Sequence, residues 1–367
     1  MLKRKSILFS AIFFLVSLHG FSQQNQISVI AYYAGGPDEV DSFSVEKLTH
    51  IIFSFSHLKG NQLYISGSRD KETIRKLVNL KRRNPELKVI LSLGGWGGCA
   101  TCSDVFSSAK DREAFAQSVK RLSQYYHTDG IDLDWEYPAI SGFPSHKYQP
   151  EDKENFTSLI KQLRETLGKK YEISFAAGGF KKYIDSSVEW NKVMPEVDRV
   201  NVMTYDLIGG YDTVTGHHTA LYSTSQQERS VDQAITQLIN AGVPKNKIVI
   251  GAAFYARVWE NVADSNYGLY QRGKFKKGIN YRNFNKEFSE QNGYTSYWDE
   301  VAKAPYSYNA SQQLFATYDD KKSIELKTQY VIDKGLNGIM FWELSLDTFH
   351  NGLLGVIDDV KKNYKTN

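Results

Sequence analysis

The chain has 367 residues, 41% hydrophobic and 23% charged, with 27 Gly and 8 Pro, a composition that excludes disordered, collagen-like and disulfide-scaffold chains. Its formal charge is +4, from 45 basic and 41 acidic residues. Three of the bases, Lys3, Arg4 and Lys5, stand in residues 1–22, which contain no acid. The remainder is close to neutral and has no basic footprint for nucleic acid or for a polybasic membrane contact.

Residues 1–22 read as a secretory signal peptide. The basic cluster precedes an apolar run at 7–18, and Gly20 and Ser22 put small residues ahead of Gln23. That run is shorter than a membrane span, and no cysteine lies nearby to carry a lipid. The expectation is a secreted protein, extracellular or periplasmic, with no membrane contact after cleavage, acting as a monomer.

Eight short runs rich in apolar, β-branched or aromatic residues follow, at 27–33, 50–55, 88–93, 130–135, 172–177, 199–205, 247–254 and 338–343. Amphipathic stretches with helical spacing alternate with them, among them 71–81, 111–126, 153–167, 230–241 and 323–334. Eight strands alternating with helices predict an α/β fold, a (β/α)8 TIM barrel. An open doubly wound sheet is the competing reading, but no Gly-rich phosphate fingerprint follows the first strand. The rhythm breaks once, at 257–317, a segment dense in Tyr that lacks a long helical period. It is read as a small α+β insertion between strands 7 and 8, which leaves 23–256 and 318–367 as the barrel proper.

The segment 129–138 carries the chemistry. A strand sends successive side chains to opposite faces, so Ile131, Leu133 and Trp135 face one way and Asp132, Asp134 and Glu136 the other. Apolar side chains belong against the outer helices, which points the carboxylates into the barrel. Three like charges about 7 Å apart are costly in a packed core, so stability does not explain them. The functional reading is that Glu136, at the carboxyl end of the strand, has its pKa raised by its neighbours and serves as a general acid. No His ligands converge on the segment, so no metal site is expected.

Asp129 to Glu136 fits D-x-x-D-x-D-x-E, and with this motif the chain resembles the family 18 glycoside hydrolases, in particular their bacterial chitinases. Ser92 to Gly95 matches the family's S-x-G-G, and Met203 to Asp206 its M-x-Y-D. Tyr255, Ala256 and Arg257 resemble its Tyr-Gly-Arg, with Ala256 departing from the usual Gly, and Trp342 stands where the family places the tryptophan under the reacting sugar. The resemblance implies secreted hydrolysis of β-1,4-linked N-acetylglucosamine polymers and oligomers, with chitin or its oligosaccharides as the partner. The retaining, substrate-assisted mechanism it implies uses the 2-acetamido oxygen as nucleophile and needs no cofactor and no metal. Glu136 would be the acid and base, Asp134 would orient the acetamide, and Asp132 would share proton and charge. Tyr205 would bind the acetamide oxygen and Asp206 would hold the distorted sugar. By position, Tyr32, Phe55, Gly95, Trp96, Met203, Tyr255, Arg257 and Trp342 would form the sugar-binding pocket, with ordinary core packing as the alternative for Phe55 and Met203. Tyr211, His217 and His218 are either product-side contacts or solvated loop residues.

Cys99 and Cys102, the only cysteines, lie in the Gly-rich loop beside Trp96 and are expected to form a local disulfide in an exported protein. Two other activities share the motif: an endo-β-N-acetylglucosaminidase acting on N-glycans, and a chitin-binding lectin. The lectins typically replace the terminal Glu, whereas Glu136 is present. The endoglycosidases generally lack the insertion found at 257–317.

Overall fold

The computed structural model describes residues 27–364, so the expected signal peptide lies outside the described residues. The eight predicted runs form strands β1 (Ser28–Tyr33), β2 (His50–Lys59), β3 (Lys88–Gly94), β4 (Gly130–Asp134), β5 (Glu172–Gly178), β6 (Arg199–Met203), β7 (Ile248–Ala253) and β8 (Gly338–Trp342). Neighbours in sequence pair in parallel, and β1 pairs both β2 and β8, with Ala31 opposite Ile51 on one side and Phe341 on the other. The sheet is therefore closed into a barrel and has no open crevice.

Pleating sorts the side chains into two cores. In β4 and just beyond it, Ile131, Leu133 and Trp135 are buried under the helices, where Trp135 meets Phe106 and Phe156 at ring distances of 5.6 and 6.4 Å. Inside the ring, Ile30, Tyr32, Ile52, Ile90, Val249 and Met340 form a separate apolar layer. The helices close with local signals: Ser108 caps Ala109–Tyr126, which ends at His127 in the left-handed region (φ 61°). Asp320 and Ser323 make a reciprocal cap on Lys321–Lys334, which stops at Gly335.

The segment between β7 and β8 contains a five-stranded antiparallel sheet, ordered Lys274–Asn280, Tyr255–Glu260, Leu314–Thr317, Ala304–Asn309, Thr295–Asp299, with the short helix Phe284–Glu287 against it. Its first strand starts at Tyr255, ahead of the position where periodicity alone places the break. The tyrosines that make the segment conspicuous are largely core: Tyr294 packs with Phe284, Phe288 and the following Tyr318 on one face, and Tyr306 and Tyr308 with Trp259 and Phe315 on the other. Arg282 anchors the insertion to the barrel through Glu39 and the Ser345 carbonyl.

Candidate active site

A cavity of about 860 Å³ opens at the carboxyl ends of the strands, the end at which this architecture carries its functional loops. Phe55, Trp96, Asp134, Glu136, Met203, Tyr205, Asp206, Tyr255, Arg257 and Trp342 all line it, although they come from widely separated parts of the chain. Trp342 is the floor. Phe55 stacks on it at 5.5 Å with 15° between planes, and Tyr32 meets it at 5.9 Å.

Three of the expected residues are not in the lining. Tyr32 is buried below Trp342 and donates its hydroxyl to Asp132. Gly95, at φ 82°, has no room for a side chain, because a Cβ there would lie 2.3 Å from the Phe55 ring. Its contribution is to let that ring approach, so Tyr32 and Gly95 shape the pocket from behind. Asp132 is also beneath the cavity, wholly buried.

The carboxylates descend from the cavity into a saturated polar base. Asp132 Oδ2 accepts from Tyr32 (3.1 Å) and Ser92 (2.9 Å), and Oδ1 from Ser174 (2.7 Å) and Asn201 (3.1 Å). Burial raises its pKa, and these four donors oppose the rise. Asp134 has no comparable support: its Oδ1 is buried without a hydrogen-bond partner. Burial, then the charges of Glu136 and Asp132, push its pKa well above the usual carboxylate range. Negative charge is therefore better accommodated on Asp132, and a proton on Asp134. Glu136, at the cavity wall, is pushed up to about 7, chiefly by burial, against a hydrogen bond from Tyr137 and with help from the charge of Asp206. Sequence spacing attributes this rise to neighbouring carboxylates on the strand; in the structure desolvation is the larger cause.

Asp206 is held in the opposite state. Burial raises its pKa, but the Arg257 guanidinium, bonded to both its oxygens, and the nearby His218 outweigh burial and depress it; Tyr255 also donates to Oδ1 at 2.8 Å. The backbone at Asp206 is left-handed (φ 52°), a conformation Asp tolerates better than most residues. Tyr205 lies between the two acidic groups. Its hydroxyl donates to the Met340 thioether at 3.9 Å, a weak acceptor that an oxygen entering the cavity can replace. The site thus combines a proton-bearing carboxyl, a fixed anion, a weakly held phenol and an aromatic floor.

A profile of Glycosyl hydrolases family 18 matches residues 22–347. The chain belongs to this family. Chitinase A1 of Niallia circulans is 39% identical over 298 residues, 75% of this chain and 42% of that protein, so the chain spans less than half of that relative's length. Chitinase B of Serratia marcescens is 27% identical over 388 residues, covering 85% and 76% of the two chains. Among solved structures, a family 18 N-acetylglucosaminidase from Paenibacillus barengoltzii superposes with a TM-score of 0.83 at 38% identity, over 91% of this chain and 99% of that one.

Within this family 18 site, several lining residues carry no motif signal. Phe180 follows β5, Arg229 precedes the helix Val231–Asn240, Phe275 and Asn280 come from the insertion, and Leu346 follows β8. They reach the cavity only because loops from different barrel units converge there. Tyr137, also in the lining, directly follows Glu136 and was visible in the segment 129–138. Tyr211 lines the cavity and is 75% exposed, facing Trp96 at 6.3 Å across its mouth. His217 and His218 are not solvated loop residues: both are fully buried, His217 bonding Asp299 of the insertion at 3.0 Å. Cys99 and Cys102 are joined in the loop that carries Trp96, with Cα atoms 5.3 Å apart, a separation disulfides normally span. Among the described residues no group of three or more His, Cys, Asp or Glu side chains is arranged to hold a metal ion.

Proposed function

We propose that this protein is a secreted chitinase that hydrolyses β-1,4-linked N-acetylglucosamine polymers and oligomers with retention, by substrate-assisted catalysis. The observation that carries the reading is the pairing at one cavity of Glu136, whose pKa is near 7, with Asp134, whose buried oxygen lacks a partner. Glu136 donates its proton to the glycosidic oxygen as the acetamide oxygen of the sugar above Trp342 attacks the anomeric carbon. Asp134 hands its proton down to Asp132 as positive charge develops, so its freed carboxylate accepts the acetamide N–H and balances the oxazolinium, while the Tyr205 hydroxyl donates to the acetamide oxygen. Glu136, now ionised, takes a proton from water, which attacks the anomeric carbon from the face the leaving group vacated, opening the oxazolinium and retaining configuration. Asp132 holds the shared proton below, and Asp206 holds a distorted sugar. Aromatic rings at Trp342, Trp96 and Tyr255 offer stacking faces to successive sugars.

A second reading, release of single N-acetylglucosamine units, is supported by the similarity to the N-acetylglucosaminidase over nearly all of that structure. Product analysis on chitin oligosaccharides separates the two: internal cleavage or disaccharide release supports a chitinase, and monosaccharide alone the alternative. A high-mannose glycoprotein assayed in parallel tests the endo-β-N-acetylglucosaminidase activity, and binding without turnover would mark a lectin. Substrate assistance is tested with oligomers deacetylated at the reacting sugar. Turnover should fall on the order of a hundredfold or more, since the nucleophile is absent; comparable rates would overturn the mechanism.

Catalytic efficiency should decline above about pH 7, as Glu136 loses the proton it must deliver. Asp132→Asn should move this alkaline limb downward. The effect passes through Asp134, whose charge Asp132 opposes; with that repulsion removed, the Asp134 and Glu136 pair gives up its proton at lower pH. A limb that stays in place or rises in the variant refutes charge coupling through the strand.

A further inference from the structure

Asp206 has a third neighbour, behind the cavity wall. His218 is fully buried, its Nδ1 faces Asp206 Oδ1 at 3.5 Å, and its ring packs on Tyr255 at 5.2 Å. The backbone ties the same two regions together: the N–H of Leu207, next to Asp206, donates to the His218 carbonyl at 3.0 Å. The His218 N–H in turn reaches Thr317 Oγ1, at the end of the last insertion strand, at 3.2 Å.

We propose that His218 is a positioning residue of this site, presenting Nδ1–H to Asp206 from behind and so fixing the orientation in which that carboxylate meets the reacting sugar. The inference rests on the family 18 chemistry proposed above for Asp206. Arg257 spans both oxygens of Asp206, and Tyr255 and His218 converge on Oδ1, with the His218 ring packed on Tyr255. A donor held in the buried interior adds a constraint on that oxygen that does not move with the Arg257 side chain. The separation is at the long edge of hydrogen bonding, so the contribution is directional more than energetic.

The surroundings select the tautomer. Both ring nitrogens are buried and neither makes a full hydrogen bond; Nδ1 has the Asp206 carboxylate 3.5 Å away, and Nε2 has no polar partner. An Nε2–H form would bury an unpaired donor and turn the Nδ1 lone pair toward a carboxylate, two penalties that the Nδ1–H form avoids. The charged groups acting on the imidazole are Asp206, Arg257 and Asp319. Asp319 offers no vacant acceptor to a second N–H, since its oxygens already bind Lys327, Ser323, Thr219 and the Ala253 N–H. Burial lowers the imidazole pKa, against the pull of the Asp206 charge, and so favours the neutral ring.

The test compares full-length wild type with His218→Leu and His218→Asn on a soluble chitin oligosaccharide, alongside thermal melts. The Asn amide can place a donor where Nδ1–H stood, whereas Leu fills the volume without one. We expect His218→Leu to lower kcat/KM about tenfold, mainly through kcat, because a mis-set Asp206 costs most when the sugar is distorted. His218→Asn should stay within about threefold of wild type. Equal activity in all three proteins, or equal loss in both variants, overturns the proposal. Imidazole nitrogen shifts in wild type report the tautomer independently of turnover, and an Nε2–H signal overturns it as well. A wild type that releases no product instead refutes the chitinase reading, while the tautomer measurement still decides the placement of the His218 proton.

Discussion

Replacing Glu136 by Gln should reduce hydrolysis on the order of a thousandfold while leaving oligosaccharide binding largely intact, because the amide keeps the shape and removes the transferable proton. Residual turnover within tenfold of wild type would exclude Glu136 as the acid. The same substitution carries a stability signature. The pKa of Glu136 rises from 4.5 to about 7 on folding, so its protonated form stabilises the folded state below the unfolded value. That contribution is lost as pH climbs through the folded value. Glutamine does not titrate. The variant should therefore be more stable than wild type at pH 8, by an amount on the order of 1–3 kcal/mol, with the difference closing below about pH 4.5. Chemical denaturation at both pH values measures it, and an unchanged difference would show that burial does not strain this carboxyl.

Truncating Lys327 should produce the largest loss of stability. Lys327 and Asp319 are both fully buried, with Nζ 2.8 and 2.7 Å from the two carboxylate oxygens. Asp319 also accepts from the Ala253 N–H at the end of β7 and from Ser323 in the following helix. Lys327→Ala strands a carboxylate in the interior, at a cost of about 3–5 kcal/mol. Combining Lys327→Met with Asp319→Asn should recover most of it: no charge remains buried, and an oxygen remains for the Ala253 N–H. If the double variant is no more stable than Lys327→Ala, the stranded charge is not the cause of the loss and the ion-pair account is wrong.

These expectations draw on different levels of the molecule. Strand number, order and the two faces of β4 were legible in the chain, because a two-residue alternation between apolar and acidic side chains admits one assignment of inside and outside. Asp132, Asp134 and Glu136 were legible for the same reason, whereas Tyr205 and Asp206 were marked by the resemblance of residues 203–206 to a family 18 motif. Tyr32 and Gly95 were identified with the site but given a lining role. Sequence position marks their strand ends, but not that Tyr32 is covered by Trp342 or that Phe55 occupies the space beside Gly95.

What the sequence determined by itself is thus the barrel, its closure and the row of carboxylates, all consequences of local periodicity repeated eight times. Tertiary structure alone decided the electrostatics. The four donors of Asp132 come from β1, β3, β5 and β6, and the partners of Asp206 from the loop after β6 and the first insertion strand. Two carboxylates of similar intrinsic acidity are driven apart, Glu136 upward and Asp206 downward. Burial opposes ionisation in both, and only Asp206 has a guanidinium against it. That difference arises from which loops meet over the barrel, a long-range packing outcome that spacing along the chain does not encode.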